Sequence, residues 1–140
     1  MMVDKLYVAM KAFIIFNNKV LILREGSKYN DGTQIAKYDF PGGRVKLGER
    51  FDQGLIREVK EETGLDVKFG KPLAVNEWRP KVRGEEWQIV ATFIECSSDT
   101  DRVFLSEDHD DFKWIDPKDY KGNNIIETNL VAFENYLKKI

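Results

Sequence analysis

The sequence is short of several things. It has one cysteine, Cys96, and one histidine, His109, among 140 residues. A lone cysteine excludes an internal disulfide framework, leaves the redox compartment open while favouring a reducing one, and is expected to pack as a small apolar side chain. No apolar run, Ala12 to Phe16 for example, approaches the ~18 residues of a bilayer-spanning helix. The start, MMVDKLYVAM, carries Asp4 and lacks a long apolar stretch with a small-residue cleavage site. A cytoplasmic protein with no membrane association is expected. A surplus of charge is also missing: 22 Lys and Arg against 24 Asp and Glu, a net charge of -2, give no general attraction for a nucleic-acid backbone. No repeat, low-complexity tract or linker interrupts the chain. At 42% hydrophobic residues it is expected to form a single domain over 1–140. Its oligomeric state, monomer or homodimer, stays open.

What is present is regular punctuation. Two runs rich in β-branched and aromatic residues, Leu6 to Phe16 and Val20 to Leu23, flank Asn17, Asn18 and Lys19 and predict a hairpin. Glu25 to Ala36 reads as a long loop, followed by a short strand at Lys37 to Phe40. Pro41, Gly42 and Gly43 are expected to end the sheet and turn the backbone, leaving it open to close approach by a ligand. Phe51, Leu55, Ile56 and Val59 recur at helical spacing between Glu49 and Thr63, and Gly64 supplies a left-handed stop. Val67 to Trp78 and Glu85 to Cys96 predict a second hairpin. The acidic stretch Ser106 to Asp111 leads into a strand at Phe112 to Ile115. Ile126, Leu130, Phe133 and Leu137 space one apolar face of a last helix over Ile125 to Ile140. The order of elements suggests an α+β fold.

The first helix carries a pattern that stability alone would not select. Glu58, Glu61 and Glu62 stand at i, i+3 and i+4 and are expected to converge on one stripe bordering the core. Like charges so spaced repel by ~0.2–0.5 kcal/mol per pair. They also fall in the last turns, where the helix dipole favours cations. A hard divalent cation would offset both penalties, and an all-oxygen ligand set suits Mg²⁺ or Mn²⁺.

The stretch from Gly43 to Leu65, GRVKLGERFDQGLIREVKEETGL, resembles the Nudix box, G-x(5)-E-x(7)-R-E-U-x-E-E-x-G-U with U aliphatic. Gly43, Glu49, Arg57, Glu58, Val59, Glu61, Glu62, Gly64 and Leu65 fill every specified position. The flanking elements are similar to those of small MutT-like members. One departure is Gly54, where many members have alanine, at a cost of ~1 kcal/mol in helix propensity. The resemblance implies a mixed β-sheet sandwiched between α-helices and metal-dependent hydrolysis of a nucleoside diphosphate linked to another group. It implies Glu58 and Glu62 as principal metal ligands, with Glu58 alternatively the base. Glu61 would be a further or water-mediated ligand, and a carbonyl of Gly42 or Gly43 would complete the shell. Arg57 is expected to pair with Glu49, and Gly64 to close the box.

Members of the family often draw a base or extra ligand from the loop before the last strand, and Glu107 is the candidate here, against the alternative of a hydrated loop. His109 is expected in solvent. Trp78, Trp87 and Trp114 are expected in core or rim packing, with at most one touching substrate. Tyr38 and Asp39 stand where similar enzymes line the base pocket. Asn123 or Asn124 resembles an asparagine that reads an oxidised guanine; the alternative is capping of the last helix. The expected partner is a nucleotide-like small molecule, first a nucleoside triphosphate, oxidised or not, cleaved to monophosphate and pyrophosphate. The alternatives are ADP-ribose or a nucleotide sugar, for which Pro80 stands near a proline of such members, and a non-catalytic nucleotide sensor.

Overall fold

The computed structural model describes residues 2–26 and 36–139, so most of the loop predicted over 25–36 lies outside the described residues. The first hairpin joins β1 (Lys5–Phe16) to β2 (Lys19–Glu25). Asn17 and Asn18 alone make the turn, with φ of 52° and 63°, as a two-residue loop of the mirror-image type requires. Lys19 therefore belongs to β2. A short β3 (Tyr38–Asp39) follows, then β4 (Gly42–Arg44), α1 (Phe51–Thr63), β5 (Val67–Trp78), β6 (Lys81–Val82), β7 (Glu85–Ser98) and β8 (His109–Ile115). Two 3₁₀ turns, Pro117–Gly122 and Glu127–Asn129, lead to α2 (Leu130–Lys138).

β1 and β7 pair in parallel from Lys5↔Trp87 to Ile15↔Ser97, and β5 adds antiparallel to β7. β1 meets β2 only next to the turn, at Ile15↔Val20 and Phe16↔Lys19. Beyond it β2 pairs with β3 and β8, while β4 pairs with β1 at Ala9, Met10 and Lys11. Gly42 and Gly43 thus do not end the sheet; they carry it on along β1. The reason is the missing side chain: a Cβ on Gly42, at φ 129°, would lie 2.2 Å from the Met10 carbonyl oxygen. The parting of β1 from β2 opens the sheet at this end.

β1 is buried on both faces, which explains its near-continuous apolar sequence. On one face Phe13, Phe40, Phe93 and Phe133 meet, and Tyr120 stacks on Phe133 at 5.1 Å, so α2 covers this side. On the other, Leu55 and Val59 of α1 pack against Met10, Ala12, Ile14, Leu21 and Leu23. The result is the mixed sheet between helices that the resemblance implied. The apolar stripe of α1 is narrower than its periodicity suggested: Phe51 is 48% exposed and Ile56 36%. α2 is also shorter, because Glu127–Asn129 winds as a 3₁₀ turn before it. Thr63 ends α1 by donating to the Val59 carbonyl and accepting from the Leu65 amide, and Gly64 turns at φ 76°.

Candidate active site

α1 delivers its glutamates to two different places. At ~100° per residue, Glu62 lies ~40° from Glu58, but Glu61 lies ~100° from Glu62 and only ~40° from Arg57. Glu62 is half-buried and accepts the Gly42 amide proton at 2.9 Å. Glu58 lies over Gly43, where a Cβ would come within 2.5 Å of its carboxylate oxygen. The two glycines therefore let a pair of carboxylates press onto the backbone of β4. Glu61 instead faces outward, its side chain 61% exposed, and takes the Arg57 guanidinium at 2.9 Å. The single stripe of three carboxylates expected from spacing is in fact split.

Arg57 donates to both oxygens of Glu49, at 2.8 and 3.2 Å, a forked geometry that suits guanidinium and carboxylate. Hydrogen bonding from Arg57 holds the Glu49 carboxyl below its usual range. Gly54 faces this pair: a Cβ there would come within 2.6 Å of Glu49 Oε1. The glycine is thus more than a lost helix former, because alanine would press on the carboxylate that anchors Arg57.

Burial pushes the Glu62 carboxyl up to about 8, against the opposing pull of Lys11 and the Gly42 amide. Burial also raises Glu58, countered by Arg57 and Lys11. Burial thus disfavours the charged form of both carboxylates, a cost that a divalent cation bound beside them would offset. Among the described residues no three acidic, histidine or cysteine side chains form a ready-made metal cage. This donor set fits Mg²⁺, which keeps several waters and takes one or two carboxylates together with substrate phosphates.

The cleft has a volume of about 290 Å³ and lies where β1 and β2 part. Glu62, Gly42 and Gly43 line it together with Lys11, Asp39, His109 and Asn129. Its outer part is aromatic and apolar, with Trp78, Pro80 and Trp87, while Arg44 rests over Tyr7 at 4.4 Å and Trp87 at 5.2 Å. Trp114 packs on Phe16 instead. Asp39 accepts from Lys11 Nζ (2.9 Å), Asn129 Nδ2 (2.6 Å) and the Phe40 amide (2.7 Å).

Several sequence-based expectations are relocated. Tyr38 is 5% exposed, packs in the core and donates its hydroxyl to Asp111, because successive strand residues face opposite ways and Asp39 takes the cleft side. Asn123 and Asn124 lie outside the cleft lining, bonded to Asp119 and Ala36 carbonyls, and neither caps α2. Asn129 is the asparagine in the cleft. The available signal was its position immediately before α2, where an asparagine usually caps; here its side chain reaches Asp39 instead. Lys11 was equally legible as a charge inside an apolar strand.

The acidic stretch is divided: Ser106 to Asp108 precede the strand as expected, whereas His109 to Asp111 are already part of β8. Glu107 is exposed and outside the cleft lining, whereas His109 lines the cleft and is not in solvent as expected. The cause is a bulge: Arg24 pairs with Asp111 but Glu25 pairs with His109, so the extra residue, Asp110, turns the imidazole to the side of Glu25 and Asp39. Burial lowers the imidazole's affinity for a second proton. Its Nδ1 has no hydrogen-bond partner among the described residues.

The family model for the NUDIX domain matches residues 5–133. A putative nudix hydrolase 1 from Caenorhabditis elegans is 30% identical over 124 residues, covering 85% of this chain and 31% of the relative. The 8-oxo-dGTP diphosphatase of Escherichia coli is 34% identical over 61 residues, 44% of this chain and 45% of that one. The chain thus spans less than half the length of these curated relatives. The MutT protein of Methanosarcina mazei superposes with a TM-score of 0.86 at 23% identity, covering 99% of this chain and 98% of the other, a likeness of fold. With the box glutamates pressed on the glycines of β4 and the family match running from β1 into α2, the chain belongs to the NUDIX family.

Proposed function

We propose that this cleft hydrolyses the diphosphate linkage of a nucleoside triphosphate, oxidised or not, releasing monophosphate and pyrophosphate. The observation that carries the reading is the pair Glu58 and Glu62 on the Gly42–Gly43 backbone, beside a cleft sized for one small molecule. Glu58 and Glu62 are the residues that would hold Mg²⁺ or Mn²⁺, which supplies charge neutralisation at phosphorus and an oriented water. Glu61, turned toward Arg57, serves at most through an intervening water. Arg57 positions Glu58 by tying α1 to Glu49, and Gly64 ends the helix so that Leu65 returns to the core. Trp78 and Trp87 offer apolar faces to a base, and Asp39 and Asn129 offer a polar edge. Glu107 is exposed and outside the cleft lining, so the proton acceptor in this reading is His109, at the start of β8 and in the lining.

Incubation with Mg²⁺ and a panel of ordinary and oxidised triphosphates, read by pyrophosphate release, tests the proposal. Absence of turnover for every triphosphate overturns it. Pro80 in the cleft lining favours a second reading, cleavage of ADP-ribose or a nucleotide sugar. Release of a sugar phosphate without pyrophosphate would select it. Tight nucleotide binding with no product after long incubation would select the non-catalytic sensor.

A further inference from the structure

Lys11 is out of place by residue type. It lies on β1 between Ala9 and Phe13, which are 1% and 0% exposed, and its own side chain is 12% exposed. Burying an ammonium is strongly unfavourable without compensation. Asp39 supplies part of it at 2.9 Å. Two features show that this ion pair is not a closed structural unit. First, an ammonium carries three donors, and among the described residues Asp39 is the acceptor within hydrogen-bond distance. Second, Asp39 is held in place from elsewhere, its Oδ1 taking Asn129 and the Phe40 amide while Oδ2 takes Lys11. The carboxylate thus fixes the ammonium at the cleft wall and leaves donors to spare.

The wider electrostatics agree. Burial works against the charged form of Lys11, yet Asp39, Glu62 and Glu58 outweigh it and hold the ammonium above its ordinary range. Lys11 is also the cross-strand partner of Gly42, whose amide binds Glu62. A divalent cation on Glu58 and Glu62 would cancel the attraction of those two carboxylates for Lys11. Asp39 would then be left to balance the ammonium, whose remaining donors stay open to a further anion. Arg44, the other cation in the lining, already rests over two aromatic rings.

We propose that Lys11 is a phosphate-binding residue, its ammonium gripping a non-bridging oxygen of the substrate's diphosphate from the β1 side while the glutamates act from α1. The inference rests on the diphosphate-hydrolysis reading above. It also says that the cleft has some affinity for a diphosphate without any metal, because a fixed cation is built into the fold.

Calorimetry with non-hydrolysable imidodiphosphate in EDTA, and with an α,β-methylene nucleoside triphosphate plus Mg²⁺, tests it on the full chain. Lys11→Met and Lys11→Gln are expected to weaken both probes by ~10- to 100-fold, the value of a charge-assisted hydrogen bond. Lys11→Arg should recover most of the loss, and Lys11→Gln preserves the test where Lys11→Met does not fold. Asp39→Asn, which keeps the ammonium, should bind imidodiphosphate at least as well as the wild type. The charge-balanced pair Lys11→Met with Asp39→Asn separates phosphate binding from mere neutralisation of Asp39: it should bind as weakly as Lys11→Met alone. Wild-type affinity in that pair, or in both Lys11→Met and Lys11→Gln, overturns the proposal. If the wild type binds imidodiphosphate through Lys11 but cleaves no diphosphate, the hydrolysis reading fails by itself. If it cleaves and the variants keep KM and affinity, only the role of Lys11 fails.

Discussion

Replacing Glu62 by glutamine should stabilise the metal-free protein at alkaline pH while disabling it. The carboxyl sits at about 8 in the folded chain against an ordinary 4.5. The folded state therefore keeps a proton that the unfolded state releases, so stability is lost as pH rises from 4.5 toward 8 and stays lost above it. At ~1.4 kcal/mol per pKa unit the ceiling is about 4–5 kcal/mol; water reaching the cleft reduces this to an order of about 2 kcal/mol. For a chain of this size that is about 6–8 °C in Tm. Glutamine keeps an oxygen for the Gly42 amide and removes the buried charge. In EDTA at pH 9, thermal unfolding of Glu62→Gln should run about 6–8 °C above the wild type, on that same conversion, and the two curves should nearly coincide at pH 4.5. Added Mg²⁺ should raise the wild type and leave the variant unmoved, since only the former binds it. A variant no more stable than the wild type at pH 9, or a gap unchanged at pH 4.5, refutes the reasoning.

Three other outcomes follow from the same geometry. Glu58→Gln should slow turnover ~100-fold or more with the fold intact by circular dichroism; wild-type kcat would remove Glu58 from the site. Arg57→Lys and Glu49→Gln break the same forked contact, so each should lower kcat by a similar factor of ~10 or more, with the double variant little worse than either single. Independent, multiplying losses in steady-state kinetics would show that the two residues do not act as a unit. Gly54→Ala should fall short of the ~1 kcal/mol that helix propensity promises, because the added methyl presses on Glu49. Urea unfolding that shows the full gain would mean Glu49 moves aside freely.

Much of the molecule is legible in the residues because it depends on near neighbours. The Asn17–Asn18 turn, the apolar β1, the spacing of Leu55 and Val59, the stop at Gly64 and the breaks around the β5 and β7 strands each follow from local backbone preference and periodicity. The box from Gly43 to Leu65 likewise marks the glutamates, since helical spacing alone brings Glu58 and Glu62 to one side.

Other features were settled only by contacts between distant parts of the chain. Which way Tyr38 and Asp39 face depends on their register against β2, and the direction of His109 on a bulge opposite Glu25. Asn129 enters the cleft because the segment before α2 is joined to β3, Ile125 bridging to Tyr38 and the Ile126 amide donating to the Tyr38 carbonyl, ninety positions from Asp39 in the chain by number. Lys11 acquires its surroundings from β3, β4 and α1 at once. A residue's spacing to its neighbours sets its element and face, but its charge environment is a sum over everything packed around it. That sum exists only once β1 and β2 have parted and the cleft has formed.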